Sequence, residues 1–456
     1  MNSSKRNTLI ALLVATFLTA IDTTVMSTAT STIVRDLGGS ELISWVFSIY
    51  LLTTAVTTPI YGKLADLFGR KPVFLFGTSL FLLGSVLCGL SGSMTQLLVF
   101  RGLQGLGAGA VQPITLTIIG DIFTKEERAK LMGLFSVIWG VAGLVGPLVG
   151  GFFVDFVSWH WIFYINLPVG LVSILLVSRF FHEQIAKKKV YIDYGGAILF
   201  SLSIGLFLYT LLASGEGNVS MSGGSYLLLA FSILLFVLFL GLEAKVREPM
   251  LPLPLFKNRM IAFAQVVSFL QAVVLIGSSA YMPIWIQNVL GHSAMFAGFA
   301  MLPTSIGWPI AASLSGRMLL KTGYRRVTVI GMTLLIVAAL GLVMLTPQSP
   351  FWIIPILQTF LGAGFGFVST ALTIAVQSSV GWQQRGIATG SLQFVRTMGQ
   401  TVGVALLGAW LNLYLPASQA EGLMGIFKWM MLTTAVGLVL SFFLPSQAEE
   451  VQPNQG

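Results

Sequence analysis

The segment GKLADLFGRK at residues 62–71 returns in altered form as GRMLLKTGYRR at residues 316–326. Both segments begin with glycine, carry a second glycine seven positions later, and continue with basic residues. Each of them lies between two long apolar runs. A polar, basic segment that recurs at such a distance predicts that the chain is built from two related halves.

Further matches support this repeat. The segment GLGAG at 105–109 corresponds to GAGFG at 362–366, at an offset of 257 residues against 254 for the first pair. Three glycine pairs keep the larger offset: Gly133 with Gly390, Gly146 with Gly403, and Gly151 with Gly408. We therefore predict two six-helix bundles, residues 1–185 and 259–456, separated by an insertion of two helices and their linkers at 186–258.

The composition indicates a membrane protein. Of the 456 residues, 55% are hydrophobic and only 9% are charged, whereas a soluble domain carries about 25% charged residues. A soluble globular protein and a disordered chain are both excluded. Fourteen apolar runs approach or exceed the roughly 20 residues that cross a bilayer as a helix. They cover approximately 8–31, 42–62, 72–91, 95–119, 131–155, 160–180, 194–213, 224–243, 260–289, 294–315, 326–346, 351–377, 386–412 and 423–444. The predicted fold class is an all-α polytopic membrane protein with 14 transmembrane helices and a short polar tail.

The basic residues predict its orientation. With the N-terminus in the cytoplasm, 21 of the 25 Lys and Arg residues fall on cytoplasmic segments, while Arg35 and Lys428 fall outside. This bias follows the positive-inside rule, and it accounts for the net charge of +9 without any nucleic-acid partner. We expect a multi-pass protein of the cell inner (cytoplasmic) membrane, with both termini cytoplasmic, surrounded by lipid and functional as a monomer.

Six segments resemble motifs of one known family. They are GKLADLFGRK (62–71), FRGLQGLGAG (100–109), GVAGLVGPLVGG (140–151), FLTAIDTTV (17–25), WHWIFYINLPVG (159–170) and EPMLPLPLFKNR (248–259). They resemble the major facilitator superfamily and, within it, the fourteen-helix drug:proton antiporters, over essentially the whole chain. The resemblance implies the major facilitator fold and drug export driven by a proton gradient, without a cofactor. In one departure, spans nine to fourteen hold no acidic residue at mid-membrane, where better-known members often carry several.

Three ionisable residues lie deep in the predicted spans: Asp22, Arg101 and Arg396. Such a residue costs about 3 kcal/mol or more, and it marks a functional site by default. Asp22 and Arg101 lie at similar depths, about 12 Å and about 9 Å from the outer ends of spans one and four. Desolvation favours the neutral acid, whereas a nearby arginine favours the carboxylate. We therefore predict that Asp22 and Arg101 form the proton-coupling site; the alternative is a permanent ion pair that only ties the two spans together.

Other residues are assigned to a substrate cavity, a latch and a helix bend. The predicted cavity residues are Phe17, Gln104, Gln112, Trp139, Gln271, Tyr281, Gln358, Gln393 and Arg396. Packing or lipid contact is the alternative for the aromatic residues, and a tie to a neighbouring helix is the alternative for Arg396. The predicted conformational latch at the cytoplasmic mouth consists of Gly62, Asp66, Gly69, Arg70 and Lys71, with charge anchoring as its alternative. The predicted antiporter helix bend consists of Gly146, Pro147, Gly150 and Gly151, with a plain packing kink as its alternative.

The predicted function is a proton-coupled antiporter that exports hydrophobic drugs by alternating access. Its partners are protons and small-molecule drugs, mostly monovalent cations, zwitterions or neutral compounds. The alternatives are a dedicated exporter of a single metabolite or lipid, and a proton-coupled uptake symporter. An enzyme would need a polar catalytic constellation, and the sequence has no clustered His, Cys or paired acids. No catalytic residue and no metal site are therefore predicted.

Overall fold

The computed structural model describes residues 3–123, 125–183, 193–213, 223–246, 249, 251, 253–381, 385–414 and 418–446. All regular elements in these residues are helices, and they contain no β-strand. The prediction of an all-α fold is therefore confirmed. A membrane explains this outcome, because a helix satisfies its own backbone hydrogen bonds where no water is present to do so.

The first half of the chain forms six helices in two groups of three. They are α1 (Ser3–Leu37), α2 (Ile43–Phe68), α3 (Arg70–Gly89), α4 (Met94–Ile122), α5 (Lys125–Phe156) and α6 (Asn166–Phe180). Helix α1 packs against α5 and α6, while α4 packs against α2 and α3. A one-turn helix, Trp161–Tyr164, precedes α6. Because α1 also contacts α4, these two helices join the two groups.

The second half repeats this plan after a hairpin of two helices. The hairpin consists of α7 (Tyr194–Ala213) and α8 (Gly223–Glu243). The later helices are α9 (Arg259–Ile284), α10 and α11 within Ala294–Val343, α12 (Ile353–Ser378), α13 (Arg385–Tyr414) and α14 (Gln419–Ser441). Gly323 divides the long segment into α10 and α11, since its φ of 78° and ψ of 168° are not helical. Gly69 has a φ of 97° at the matching turn between α2 and α3. Glycine adopts such positive φ values without the steric cost of a Cβ atom.

The predicted count of fourteen helices is confirmed. By length and composition, eleven of the described helical segments are apolar enough to cross a membrane. The remaining three helices are α4, α7 and α13, of which α7 contributes the shorter apolar segment Tyr194–Thr210. The other two carry Arg101 and Arg396. The boundaries proposed for the two bundles and the insertion stay predictions.

The inserted hairpin covers the seam between the two halves. Helix α7 packs against α2 of the first half and against α13 of the second. Three aromatic rings form the centre of this contact, with Phe200 of α7 lying 5.5 Å from Phe239 of α8 and 5.1 Å from Phe394 of α13. A large apolar contact of this kind excludes lipid and water from the seam.

The two halves are also joined at one side of the membrane, where α1 ends and α2 begins. The charge pattern predicts that this is the extracellular side, and we call it the outer side. Four hydrogen-bonded contacts cross between the halves there: Ser44 with the Tyr281 hydroxyl (2.9 Å), Gln287 with the Thr28 carbonyl (3.1 Å), Asn412 with the Glu41 carbonyl (2.9 Å), and Asp155 with the Ala294 and Met295 amides (3.3 and 2.8 Å). These contacts join the two halves on the outer side.

Asp155 is the charged side chain in this outer contact. Its two carboxylate oxygens accept hydrogen bonds from the first amides of α10, where the helix dipole favours a negative charge. Beside it, Gly151 permits close approach, since a Cβ atom there would lie 2.6 Å from the Met295 Cα atom. The acidic cap and the small residue together hold α5 against α10.

We predict that Asp155→Ala opens the outer side. The loss of a capping carboxylate costs about 1 kcal/mol, so the outward-open population should rise roughly fivefold. The measurement is the distance distribution between spin labels on the outer ends of α5 and α10. Asp36→Ala is the matched control, because Asp36 accepts a hydrogen bond from Trp159 within the same half. Identical distributions for Asp155→Ala and wild type would contradict the prediction.

Candidate functional site

A buried ion pair lies inside the first six-helix bundle. The Arg101 Nη1 atom lies 3.0 Å from the Asp22 Oδ2 atom, and each side chain is only 2% exposed. The structure thus brings together the two residues that the sequence assigns to proton coupling. Helices α1 and α4 supply one partner each, at the point where the two three-helix groups meet.

Two neutral amides complete the shell around Asp22. Gln104 donates from Nε2 to Asp22 Oδ1 at 2.8 Å, and Asn166 donates from Nδ2 to the same oxygen at 2.9 Å. The Gln104 Oε1 atom in turn accepts from Arg101 Nη1 at 2.7 Å. Three donors therefore surround one carboxylate, and they tie α1 to α4 and α6.

The shell continues from α6 to α3. The Asn166 Nδ2 atom lies 3.0 Å from the Ser85 hydroxyl, which donates to the Phe163 carbonyl at 2.8 Å. The Asn166 Oδ1 atom is buried and has no hydrogen-bond partner among the described residues. A buried carbonyl without a donor is costly, so the shell around Asp22 contains one acceptor that the described residues leave unfilled.

Aromatic rings and close helix packing hold the arginine in place. The Arg101 guanidinium lies over the Tyr50 ring, with 4.2 Å from Cζ to the ring centroid. Glycines make the surrounding packing possible, because a Cβ atom at Gly84 would lie 2.5 Å from the Gln104 amide nitrogen, and one at Gly105 would lie 2.6 Å from the Tyr50 carbonyl. The GLGAG segment is therefore a helix-packing surface.

Sequence reasoning identified Asp22, Arg101 and Gln104, but it missed Asn166, Ser85 and Tyr50. Asn166 lies within the segment WHWIFYINLPVG that was noted only as a family resemblance. An amide at this depth in a predicted span was the signal that could have found it. Ser85 and Tyr50 offered no comparable signal, because a serine or tyrosine in a membrane helix can face any neighbour.

Three predicted cavity residues are buried inside the second bundle. Gln271 donates to the Phe365 carbonyl at 3.2 Å, and Gln358 accepts from the Thr304 hydroxyl at 2.6 Å. Tyr281 donates to the Val404 carbonyl at 2.8 Å and also meets Ser44 in the outer contact between the halves. In this conformation their polar groups are engaged by protein, so a role in lining a cavity stays a prediction.

The other predicted cavity residues are more accessible. Gln393 and Trp139 are exposed, whereas Gln112 and Arg396 are partly buried. Arg396 donates to the Ser369 carbonyl on α12 at 3.1 Å. Phe17 lies elsewhere, in an apolar groove of ≈ 490 Å³ between α1, α5 and α6. The structure therefore does not gather the predicted cavity residues into one surface.

The predicted latch segment takes part in an ionic network at the end of the first bundle that lies opposite the outer side. The Arg70 Nε atom lies 3.0 Å from Asp121 Oδ2, and the Glu183 carboxylate accepts from the backbone amides of Arg70 and Lys71 at 2.8 and 3.1 Å. Sequence reasoning missed Asp121 and Glu183. Gly69 makes the turn before α3, and no atom lies within 4 Å of a Cβ placed on Gly62. The side chain of Asp66 lies outside the described residues, so its part in a latch stays a prediction.

The predicted bend motif lies at a junction of three helices. Helix α5 runs from Lys125 to Phe156 with Pro147 inside it. A Cβ atom at Gly150 would lie 2.6 Å from the Val25 carbonyl of α1, and Gly146 faces Thr24 of the same helix. Gly151 faces α10. The motif thus packs α5 against α1 of the first half and against α10 of the second.

No group of three or more metal-ligand residues occurs in the described part of the chain.

Comparison with known proteins gives consistent matches. A family model described as Major Facilitator Superfamily matches residues 12–404. The chain is 35% identical to "Multidrug transporter protein MdtP" of Bacillus subtilis (strain 168), over 98% of this chain and 86% of that protein. It is 36% identical to "Multidrug resistance protein 3" of the same organism, over 89% of this chain and 79% of that protein. Among solved structures, a D-xylose-proton symporter matches with a TM-score of 0.71 at 15% identity, over 97% of this chain and 99% of that chain. This last likeness confirms the predicted fold.

The buried pair generates a prediction about stability. Asp22→Asn leaves Arg101 as a buried cation that cannot lose its proton, so we expect the free energy of unfolding to fall by about 3 kcal/mol or more. Arg101→Gln should cost less, because Gln104 and Asn166 still donate hydrogen bonds to the Asp22 carboxylate. The double variant Asp22→Asn/Arg101→Gln should regain most of the loss. The measurement is the thermal unfolding midpoint of purified protein at pH 7. A double variant no more stable than Asp22→Asn would refute this account.

Proposed function

The chain belongs to the major facilitator superfamily, and from that premise we propose that it exports chemically diverse apolar drugs from the cell in exchange for protons. The observation that carries the proposal is the enclosed pair of Asp22 and Arg101 in the first bundle. The names of the similar bacterial proteins, a multidrug transporter and a multidrug resistance protein, support the substrate class.

Asp22 is the coupling residue in this mechanism. In the arrangement that is closed to the outside, Arg101, Gln104 and Asn166 surround its carboxylate and favour release of the proton toward the cytoplasm. When the outer contacts open, a shift of α1 against α4 and α6 weakens these donors, so that a proton from outside binds. Rotation of the Asn166 amide would then turn its Oδ1 atom, which accepts no hydrogen bond within the described part of the chain, toward the protonated acid.

Drug binding and proton binding are linked through Asp22. A drug that binds more tightly when Asp22 is ionised promotes release of its proton, and by reciprocity proton uptake weakens drug binding. One proton exchanged for one monovalent cation moves no net charge. One proton exchanged for a neutral drug moves one charge inward, which provides about 2.3 kcal/mol per 100 mV of membrane potential.

We place this transporter in the cell inner membrane as a functional monomer, with both termini in the cytoplasm. The distribution of basic residues supports the orientation, since positively charged loops remain on the cytoplasmic side. The mechanism needs no cofactor, and the transporter performs no catalysis. The proton gradient supplies the free energy, and the outer contacts together with the cytoplasmic Arg70 network are the parts that rearrange.

Transport breadth and direction separate this proposal from its alternatives. Everted vesicles should accumulate two chemically unrelated dyes when a proton gradient is imposed, and they should lose both when the gradient is collapsed. Accumulation of a single compound would favour a dedicated exporter of one metabolite or lipid. Movement of the dyes along with the proton flux would favour an uptake symporter.

We predict that Asp22→Asn abolishes both gradient-driven export and the proton release that drug addition causes in purified protein. Drug binding should persist in part, because the cavity contacts remain. The same assay on Asp22→Asn/Arg101→Gln removes the objection that an unpaired arginine has damaged the fold. Asp36→Asn is the control, since Asp36 lies at the outer end of α1, away from the buried pair. Normal proton-driven export by Asp22→Asn would refute the coupling role.

A further inference from the structure

Arg396 is a second deep arginine that the coupling mechanism does not use. It lies near the middle of α13, the helix that runs from Arg385 to Tyr414. One of its nitrogens, Nη2, donates to the Ser369 carbonyl at 3.1 Å and approaches the Thr373 hydroxyl at 3.4 Å. Both partners are neutral and belong to α12. The contact orients the guanidinium without balancing its charge.

The sequence places no acid where it could pair with Arg396 within its own half. No Asp or Glu occurs between Glu248 and Glu421, a stretch that includes α9 to α13. The deep acid of the first half, Asp22, is engaged by Arg101, Gln104 and Asn166. The three deep ionisable residues therefore leave one positive charge uncompensated inside the membrane.

The surroundings of Arg396 indicate that it faces an aqueous cavity. Thr389, Gln393, Arg396 and Gln400 follow each other at intervals of four, three and four residues on α13, and all four are exposed or partly exposed. This spacing puts them on one face of the helix. The stripe is linked to α12, because Gln377 donates to the Thr389 hydroxyl at 3.1 Å. Polar stripes at membrane depth face water-filled cavities rather than lipid.

We propose that Arg396 binds an acidic oxygen group of the substrate. The exported compounds would then be amphiphiles that carry a carboxylate or a related oxyanion beside an apolar body. A guanidinium suits this role, because its planar fork donates two parallel hydrogen bonds to an oxyanion. This inference rests on the proposed export function, and it names the substrate class of the same cavity.

The charge of such a substrate also sets the energetics of exchange. Export of an anion against one proton moves two positive charge equivalents inward, so the membrane potential drives it as well as the pH gradient. A permanent cation gains no such advantage, and it meets the uncompensated charge of Arg396. The proposal thus reorders the substrates expected from the sequence, with acidic and zwitterionic compounds ahead of simple cations.

The test compares 1-pyrenebutyrate with its methyl ester, which has the same apolar body without the charge. Everted vesicles containing wild type should accumulate the acid more efficiently than the ester when a proton gradient is imposed. Arg396→Gln should lower kcat/KM for the acid about tenfold, while the value for the ester changes by less than about twofold. Arg396→Lys should retain part of the acid activity. Lys428→Gln is the matched control, because it removes an exposed positive charge from α14 of the same half.

Binding to the purified protein tests the Arg396 site separately from the export function. Wild type should bind the acid more tightly than the ester, and Arg396→Gln should abolish that difference. Equal losses for acid and ester in Arg396→Gln would assign the residue a purely structural tie to α12 and overturn the proposal, as would an unchanged preference for the acid. Acid-selective binding without gradient-driven export would support the Arg396 site and overturn the export function alone.

Discussion

A carboxylate and a guanidinium 3.0 Å apart, away from water and lipid, impose the main constraint on this structure. An ion pair at low dielectric is tolerable only when each remaining donor and acceptor is satisfied. Gln104 and Asn166 supply the missing hydrogen bonds from α4 and α6. The glycines of α3 and α4 let the backbones come close enough for these short side chains to reach. The close packing of these helices therefore allows the Asp22 carboxylate to keep its hydrogen bonds.

The same constraint links the site to the outer contact between the halves. Helix α1 carries Asp22, and within the next two turns it places Thr24, Val25 and Thr28 against the glycines of α5. Helix α5 continues to α10 through Gly151 and Asp155. A small movement of α1 that alters the donors around Asp22 must also disturb this junction, because tightly packed helices shift as units. In this mechanism, protonation of Asp22 and opening of the outer side would both involve a movement of α1.

The fold was largely predictable from the sequence, whereas the site was predictable only in part. The length of an apolar run predicts a membrane span, so the fourteen helices and the connections that contain Gly69 and Gly323 followed directly. Asp22 and Arg101 were predicted to form a pair because they lie at similar depths in their predicted spans. Asn166, Asp155 and Glu183 were missed because their partners are set by the rotation of each helix about its axis. That rotation depends on tertiary packing, which a linear pattern does not record.

The two halves share one plan but divide the chemistry between them. In the first half a deep arginine has an acid beside it, and we propose that this acid exchanges the proton. In the second half Arg396 stands where the repeat has Trp139, in a stretch of sequence without any acid. A charge placed at such cost beside only neutral protein groups favours a counter-ion from elsewhere. A substrate oxyanion meets that requirement, and it would enter the cavity as the counter-ion that the second half lacks. The proton site and the substrate site then lie on opposite halves, so one rocking motion can alter both.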